Sequence, residues 1–340
     1  MRKQKILVTG GAGYIGSILV QELLSAGFDV CVYDRFFFGN NFNPHPNLTT
    51  VQGDVRNIPE ALFSNVFGVL DLAALSNDPS GEMMPTKTLD INYRARRRVQ
   101  ELASANRVSK YVLASSCSVY GFQDGVLDEN AATNPLTTYA SANLLAEGAA
   151  LTLAEKGTDM CITVLRQATV YGLSPRMRFD LAINGMTLGL YQNGVIPMMR
   201  DGSQWRPFVH VRDTSQAFLS VLEAEREIVN QEIFNVGSNS QNFQIMQLAE
   251  LVAKGLDKQL EYEFYGEVDV RSYRVDFGKI ARVLGFTTSH NVESAAFEIS
   301  EALSKGELIP DIKTKTLQWY QELEKWNSRI KQIAPDGYIL

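Results

Sequence analysis

The chain has 340 residues, 45% of them hydrophobic, and a formal net charge of −6. That length allows a substantial core in one large or two medium domains. The acidic balance speaks against non-specific nucleic-acid binding, and no apolar run approaches the roughly 20 residues that span a bilayer. Neither nucleic acid nor membrane is an expected partner.

Residues 1–5 are polar, and the run Ile6-Leu7-Val8 is too short for the apolar core of a signal peptide. Cys31, Cys117 and Cys161 each lie alone in an apolar, strand-like run and read as reduced core residues. A cytoplasmic protein is expected. His45, His210 and His290 show no metal-ligand spacing among themselves or with cysteine, so no metal is expected. His210 reads as a packed structural histidine.

Residues 5–9 predict a first strand and 15–26 a helix, stopped by Gly27. Strands follow at 29–33, 48–52 and 69–72. A loop rich in Ser, Asn, Asp and Pro leads into a helix over 89–106, whose run Arg94, Arg96, Arg97, Arg98 reads as its solvated face. Next come a strand at 110–115, a long helix at 138–156 and a strand at 161–166. Alternating units of this kind build a parallel sheet with helices on both faces, so the expected class is α/β with a Rossmann, doubly wound sheet. After Gly172 the rhythm breaks. Residues 175–207 are loop-rich, with a helix-like run at 181–191. Residues 208–211 and 233–236 read as strands returning to the sheet. Residues 245–255, 277–284 and 294–303 read as helices of a smaller α/β cap, and 317–333 as a charged amphipathic tail. The expected division is 1–172 with the returning segment 207–238, against 173–206 with 239–340.

Gly10-Gly11-Ala12-Gly13-Tyr14-Ile15-Gly16 lies directly after a strand and opens a helix. In that context Gly10 permits the tight turn, Gly13 lets the backbone approach a pyrophosphate, and Gly16 allows close helix–sheet packing. The helix N-terminus then faces the phosphates. Tyr14 and Ile15 belong to the same cradle. Asp34 ends the second strand, 18 residues past Gly16. A carboxylate there accepts hydrogen bonds from the adenosine ribose and repels a 2′-phosphate, favouring NAD. Arg35 beside it softens that preference. Asp54 and Val55 follow the third strand, where Asp54 meets the adenine edge or makes a simple turn.

These residues resemble the extended short-chain dehydrogenase/reductase family, the NAD-dependent epimerase/dehydratases that act on nucleotide sugars. The similarity runs to about Phe286. Beyond the glycine signature it rests on Gly53-Asp54, Leu72-Ala73-Ala74, Asn92, Ser115-Ser116-Cys117-Ser118-Val119-Tyr120-Gly121, Tyr139, Leu165-Arg166 and Val170-Tyr171-Gly172. Further on it includes Asp201-Gly202, Arg206-Pro207-Phe208-Val209-His210-Val211, Asp213, Phe234-Asn235-Val236-Gly237, and Asp269 seven residues before Asp276. The resemblance implies transient oxidation: Tyr139, as tyrosinate, removes a sugar hydroxyl proton while hydride passes to NAD. Ser116 shares a hydrogen bond with the same oxygen. Leu72, Ala73, Ala74 and Asn92 are implied near the cofactor, and the 173–206 and 239–340 segments would form the substrate-binding cap. The helices at 89–106 and 138–156 would pair in a homodimer.

The pattern breaks in informative places. In the family's 4,6-dehydratases the two residues after Ser116 are Asp and Glu; here they are Cys117 and Ser118, neither a carboxylic acid, which disfavours dehydration. The family's Tyr-x-x-x-Lys reads Tyr139-Ala140-Ser141-Ala142-Asn143. That lysine hydrogen-bonds the nicotinamide ribose and favours tyrosinate by its charge. Asn143 can serve the first purpose but not the second. An ordinary tyrosine has a pKa of about 10, so roughly one in a thousand is ionised at neutral pH. Three readings stay open: another cation fills the role, the enzyme is slow or leans less on Tyr139, or the protein binds without turnover.

Thr169 stands where related epimerases often carry Asn. Gly266 and Glu267 stand where many carry a diphosphate-binding Arg, and Arg271 and Arg274 are nearby substitutes. Arg206 matches the other diphosphate Arg, whose guanidinium fork suits that task. Ser76, Arg178, Asp180 and Asn184 are expected to face the sugar nucleotide. The leading expectation is an NAD-dependent nucleotide-sugar epimerase or related sugar oxidoreductase. A net dehydrogenase or keto-sugar reductase is the alternative, and a catalytically impaired NAD or nucleotide-sugar binding protein is the alternative of another class.

Overall fold

The computed structural model describes residues 3–266 and 272–334. Its centre is a seven-stranded parallel sheet. In chain order the first five strands are β1 (Lys5–Thr9), β2 (Asp29–Asp34), β3 (Leu48–Gln52), β4 (Gly68–Asp71) and β5 (Lys110–Ser116). The strands Cys161–Gln167 and Glu232–Val236 complete it. Across the sheet the order is Glu232–Val236, Cys161–Gln167, β5, β4, β1, β2, β3. β1 and β4 are neighbours, so the chain reverses its direction of winding between them. A crevice opens at such a switch point beyond the carboxyl ends of the strands. The strands read as near-continuous apolar runs because helices cover both faces. Ile6, Val8, Val32 and Leu70 pack on one side and Leu7, Tyr33, Val69 and Leu113 on the other.

Helix α1 (Gly16–Ser25) follows the glycine turn. After a short α2 (Asp78–Met83), the helix expected over 89–106 starts earlier, as α3 (Pro85–Leu89), and runs through a π turn over Asp90–Ala95 into α4 (Arg96–Ala105). Pro85 stands at the start of α3, where its missing N–H is harmless. Such π turns widen a helix locally and cluster at functional sites. Helix α5 (Thr138–Glu155) opens on a Thr137 cap, whose hydroxyl accepts the Ala140 N–H at 3.1 Å.

Two expectations are corrected here. The segment read as 208–211 forms the strand Trp205–His210, which does not join the main sheet. It pairs with Thr169–Tyr171 and Asn242–Gln244 in a separate three-stranded sheet. The helix Val211–Glu223 follows at once, and His210, fully buried, caps it through Nδ1. The arginine run is not a uniformly solvated face either: Arg94, Arg97 and Arg98 are exposed, but Arg96 is 1% exposed.

A third apolar cluster, around Ile183, Met186, Phe208, Leu248 and Ala296, lies under the smaller sheet. The final helix, Thr316–Ile333, is docked at its start: Trp319 Nε1 donates to Phe37 O at 2.7 Å, fixing the loop after β2.

Helix α5 is tied to the sheet by a buried ion pair. Glu147, 2% exposed, accepts Arg166 Nη2 at 2.7 Å and Nε at 3.1 Å, and also the hydroxyl of Ser115. Removing one partner of such a pair strands a charge in low dielectric, which costs about 3–5 kcal/mol. Glu147→Ala should therefore lower the free energy of unfolding by about that amount in chemical denaturation. A loss below about 1 kcal/mol would contradict this, because it is the figure for an exposed pair.

Candidate active site

One cavity of about 1090 Å³ runs from the glycine turn, across the carboxyl ends of the sheet, to the Trp205–His210 strand. Gly10 sits at φ +69°, and a Cβ there would lie 2.7 Å from Ala73 N. A Cβ on Gly16 would lie 2.6 Å from Gly10 O. Both positions demand glycine. Helix α1 starts without a side-chain cap and without an acid in its first turn. Its positive end is left to an anion from the cleft. Gly13, Tyr14 and Ile15 line the same wall. Tyr14 lends structure as well, its hydroxyl donating to Gly172 O at 2.5 Å and accepting Asn184 Nδ2 at 2.9 Å.

Asp34 closes the far end of the turn. Its carboxylate accepts Ala12 N at 3.0 Å and Phe36 N at 2.8 Å, while burial pushes its pKa up. Asp54 and Val55 line the same end. Asp54 accepts Arg56 Nη2 at 2.5 Å and Arg35 Nη1 at 2.9 Å, and the Arg56 hydrogen bond holds its pKa down. Arg35 is thus drawn toward Asp54. Arg176, which the sequence reading passed over, is buried behind Phe38, its guanidinium carbon 3.7 Å from the ring centroid. Its Nη2 donates to Thr316 at 2.9 Å, but Nε and Nη1 have no hydrogen-bond partner among the described residues. Burial, with Arg178 nearby, lowers its pKa to about 10. An unpartnered guanidinium edge, an uncapped helix and a glycine turn together fit the pyrophosphate of a dinucleotide, with Asp34 at the ribose end.

Ser116 and Tyr139 line the middle of the cavity. Ser116, at the end of β5, accepts Ser118 N at 3.1 Å, which leaves its own O–H to donate. Tyr139 projects from the first turn of α5 beside Ser116. Burial and Asp78 raise the Tyr139 pKa; Arg96, Ser116 and Arg178 oppose them. Leu72, Ala73 and Ala74 form the floor. Arg96, at the start of α4, reaches this wall, donating from Nε to Ala73 O at 3.1 Å and from Nη1 to Asn143 Oδ1 at 2.8 Å.

Ser76, Arg178 and Asp180 form one cluster on the outer wall. Arg178 donates to Asp180 Oδ2 at 2.7 Å and to Ser76 Oγ at 3.3 Å. Thr169 and Arg206 line the outer end, with Arg206 over the Tyr273 ring at 5.5 Å. Ser118, Tyr273 and Tyr320 are further lining residues.

Several residues expected at the site stand behind its wall. Asn92 is fully buried and clamps one residue, accepting Leu75 N at 2.8 Å and donating to Leu75 O at 3.0 Å. Asn184 accepts Gly172 N at 2.9 Å and donates to Arg178 O at 2.9 Å, bracing the outer loop. Asn143 is turned between Arg96 and the carbonyl of Tyr139, which it meets at 3.0 Å, and does not line the cavity. Arg274 stacks over Trp205 at 5.2 Å, outside the cavity lining. Arg271 and Asp269 lie outside the described residues.

A family model, the NAD dependent epimerase/dehydratase family, matches residues 6–237. The chain belongs to that family. A putative UDP-glucose 4-epimerase of Methanocaldococcus jannaschii is 32% identical over 231 residues, covering 66% of this chain and 75% of that one. UDP-glucuronic acid decarboxylase 4 of Arabidopsis thaliana is 27% identical, covering 83% of this chain and 64% of its own length. The solved structure of MoeE5 in complex with UDP-glucuronic acid and NAD superposes with a TM-score of 0.80 at 29% identity, over 89% of this chain and 99% of that one.

The Arg178–Asp180 pair makes stability pH-dependent. Burial alone would raise the Asp180 pKa, but Arg178 and then Arg176 outweigh it and hold it at about 2. A depressed carboxyl contributes stability above its unfolded pKa of about 3.9 and loses it as pH falls through the folded value. Between about pH 4 and about pH 2, Asp180→Asn should therefore flatten the acid fall in the free energy of unfolding by about 2 kcal/mol. An unchanged acid slope in denaturant titrations would contradict the pairing.

Proposed function

We propose that the protein is an NAD-dependent nucleotide-sugar epimerase. The observation that carries this reading is the order of groups along one cleft: a dinucleotide cradle at one end, Ser116 and Tyr139 in the middle, and Arg178 and Arg206 on the outer wall. A nucleotide diphosphate sugar is the substrate class that matches that outer wall, where Arg206, with the Arg178–Asp180 pair beside it, would meet a diphosphate. UDP-glucose and UDP-glucuronic acid are the first candidates, since relatives act on or bind them.

When bound, NAD supplies a hydride acceptor that is itself cationic. Tyr139 takes the proton of the sugar hydroxyl and returns it. Ser116, its own acceptor role met by Ser118 N, donates a hydrogen bond to the reacting oxygen and steadies it. Cys117 is buried, its thiol donating to Arg166 O, and burial pushes its pKa well up. With Ser118 beside it, the site lacks a carboxylic acid at the positions that serve dehydration, so we favour epimerisation over elimination. The exposed face of α5, where Leu145 is 46% exposed, suits the homodimer that the family resemblance implies.

Incubation with NAD and UDP-glucose, and separately with UDP-glucuronic acid, should yield an epimerised sugar by NMR with no net NADH absorbance. Tyr139→Phe should reduce turnover by about 100-fold or more, the range of a lost acid–base group. Stoichiometric NADH would replace this reading with a net dehydrogenase. Protein that binds neither NAD nor either nucleotide sugar would overturn it.

A further inference from the structure

Tyr139 needs a cation, and position 143 does not supply one. We propose that Arg96 is the charge that positions and ionises Tyr139, seated by Asn143, so that the cation of the site comes from α4 instead of α5. This inference rests on the reading of Tyr139 as a base.

The geometry is specific. Arg96 is buried to 1% exposure, yet it borders the cleft. Its two hydrogen-bond partners are both neutral oxygens, Ala73 O and Asn143 Oδ1. A buried guanidinium hydrogen-bonded only to uncharged acceptors acts on the ionisable groups around it, here Asp71 and Tyr139, through its field. Asn143 is fixed in orientation, since its Nδ2 donates to Tyr139 O, which turns its Oδ1 toward Arg96. One amide side chain therefore links the guanidinium to the residue it serves, one helical turn away.

The surroundings of both groups are consistent with this role. Around Arg96 stand Asp71 on β4 and Tyr111 on β5, and Tyr139 on α5. Asp71 accepts Thr9 Oγ1 at 2.5 Å and Tyr111 Oη at 2.6 Å; burial raises its pKa and Arg96 opposes the rise, so Asp71 shares the field of Arg96 with Tyr139 without a hydrogen bond to it. Facing Tyr139 are Asp78 on α2, which resists ionisation, and Arg96, Ser116 and Arg178, which favour it. A lysine at 143 in this chain would press an ammonium against the Arg96 guanidinium. Arginine at 96 and asparagine at 143 thus form a matched pair, and the usual lysine is incompatible with the arginine.

The test reads Tyr139 directly and needs no sugar substrate. Phenolate absorbance of the NAD-loaded protein is titrated with pH, and the same titration of Tyr139→Phe is subtracted. In Arg96→Met the Tyr139 midpoint should rise by about one pH unit or more, the usual effect of losing an adjacent opposite charge. Arg96→Lys should largely restore it, and so should Arg96→Met/Asn143→Lys, where the charge moves to α5. Asn143→Asp keeps the arginine in place but offsets its field, and should raise the midpoint even if Arg96→Met fails to fold. Asn143→Lys alone should lower the thermal midpoint, and lower it less in the Arg96→Met background. A Tyr139 midpoint that ignores both Arg96→Met and Asn143→Asp, or a phenol that never ionises in the native protein, overturns the proposal. A shifted midpoint in protein that turns over no nucleotide sugar would leave this inference standing and defeat the proposed function instead.

Discussion

The contact between Arg96 and Asn143 braces the middle of this cleft. A guanidinium cannot be buried unless its N–H groups find acceptors. Here they come from two separate elements: the carbonyl of Ala73, just past β4, and the amide oxygen of Asn143 on α5. Both must be in register for the charge to stay inside. The π turn over Asp90–Ala95 lies immediately before Arg96 and shapes how α4 presents it. The Glu147–Arg166 pair holds α5 against the sheet from the other side. Tyr139 sits between these constraints, so its proton affinity is a property of the packing as much as of the side chain.

The charge of the cleft differs from that of the molecule. The whole chain is acidic at −6. Along the cavity, Arg35, Arg56, Arg96, Arg176, Arg178 and Arg206 outnumber Asp34, Asp54, Asp78 and Asp180. Field lines focus in such a pocket and draw in polyanions. Each acid has a local task as well: Asp34 ties the glycine turn, Asp54 holds Arg35 and Arg56, and Asp180 holds Arg178.

Strands with continuous apolar runs and the glycine turn were legible because period and spacing translate directly into backbone geometry. The buried amides were not. Asn92, Asn143 and Asn184 each carry a donor and an acceptor, and such side chains can face a ligand or brace the backbone behind it. Spacing does not decide between those directions. All three brace the backbone. Arg96 reads as solvated, against a signal that a charge count hides: Val99, Gln100 and Ala103, at three, four and seven residues on, are its buried neighbours on α4. Periodicity places Arg96 with them and leaves Arg97 and Arg98 outside. Arg176 had no such marker, because its burial comes from Phe38 and Thr316, far away in sequence. The docking of the last helix on Phe37 was hidden for the same reason.

The most direct measurement is a crystal structure of the protein with NAD and UDP-glucose. The expected result is an Arg96 guanidinium still bonded to Asn143 Oδ1, with the Tyr139 hydroxyl turned toward the nicotinamide and the sugar. An Arg96 swung out to solvent beside Arg97, or a phenol facing away from the ring, would contradict a cation supplied from α4.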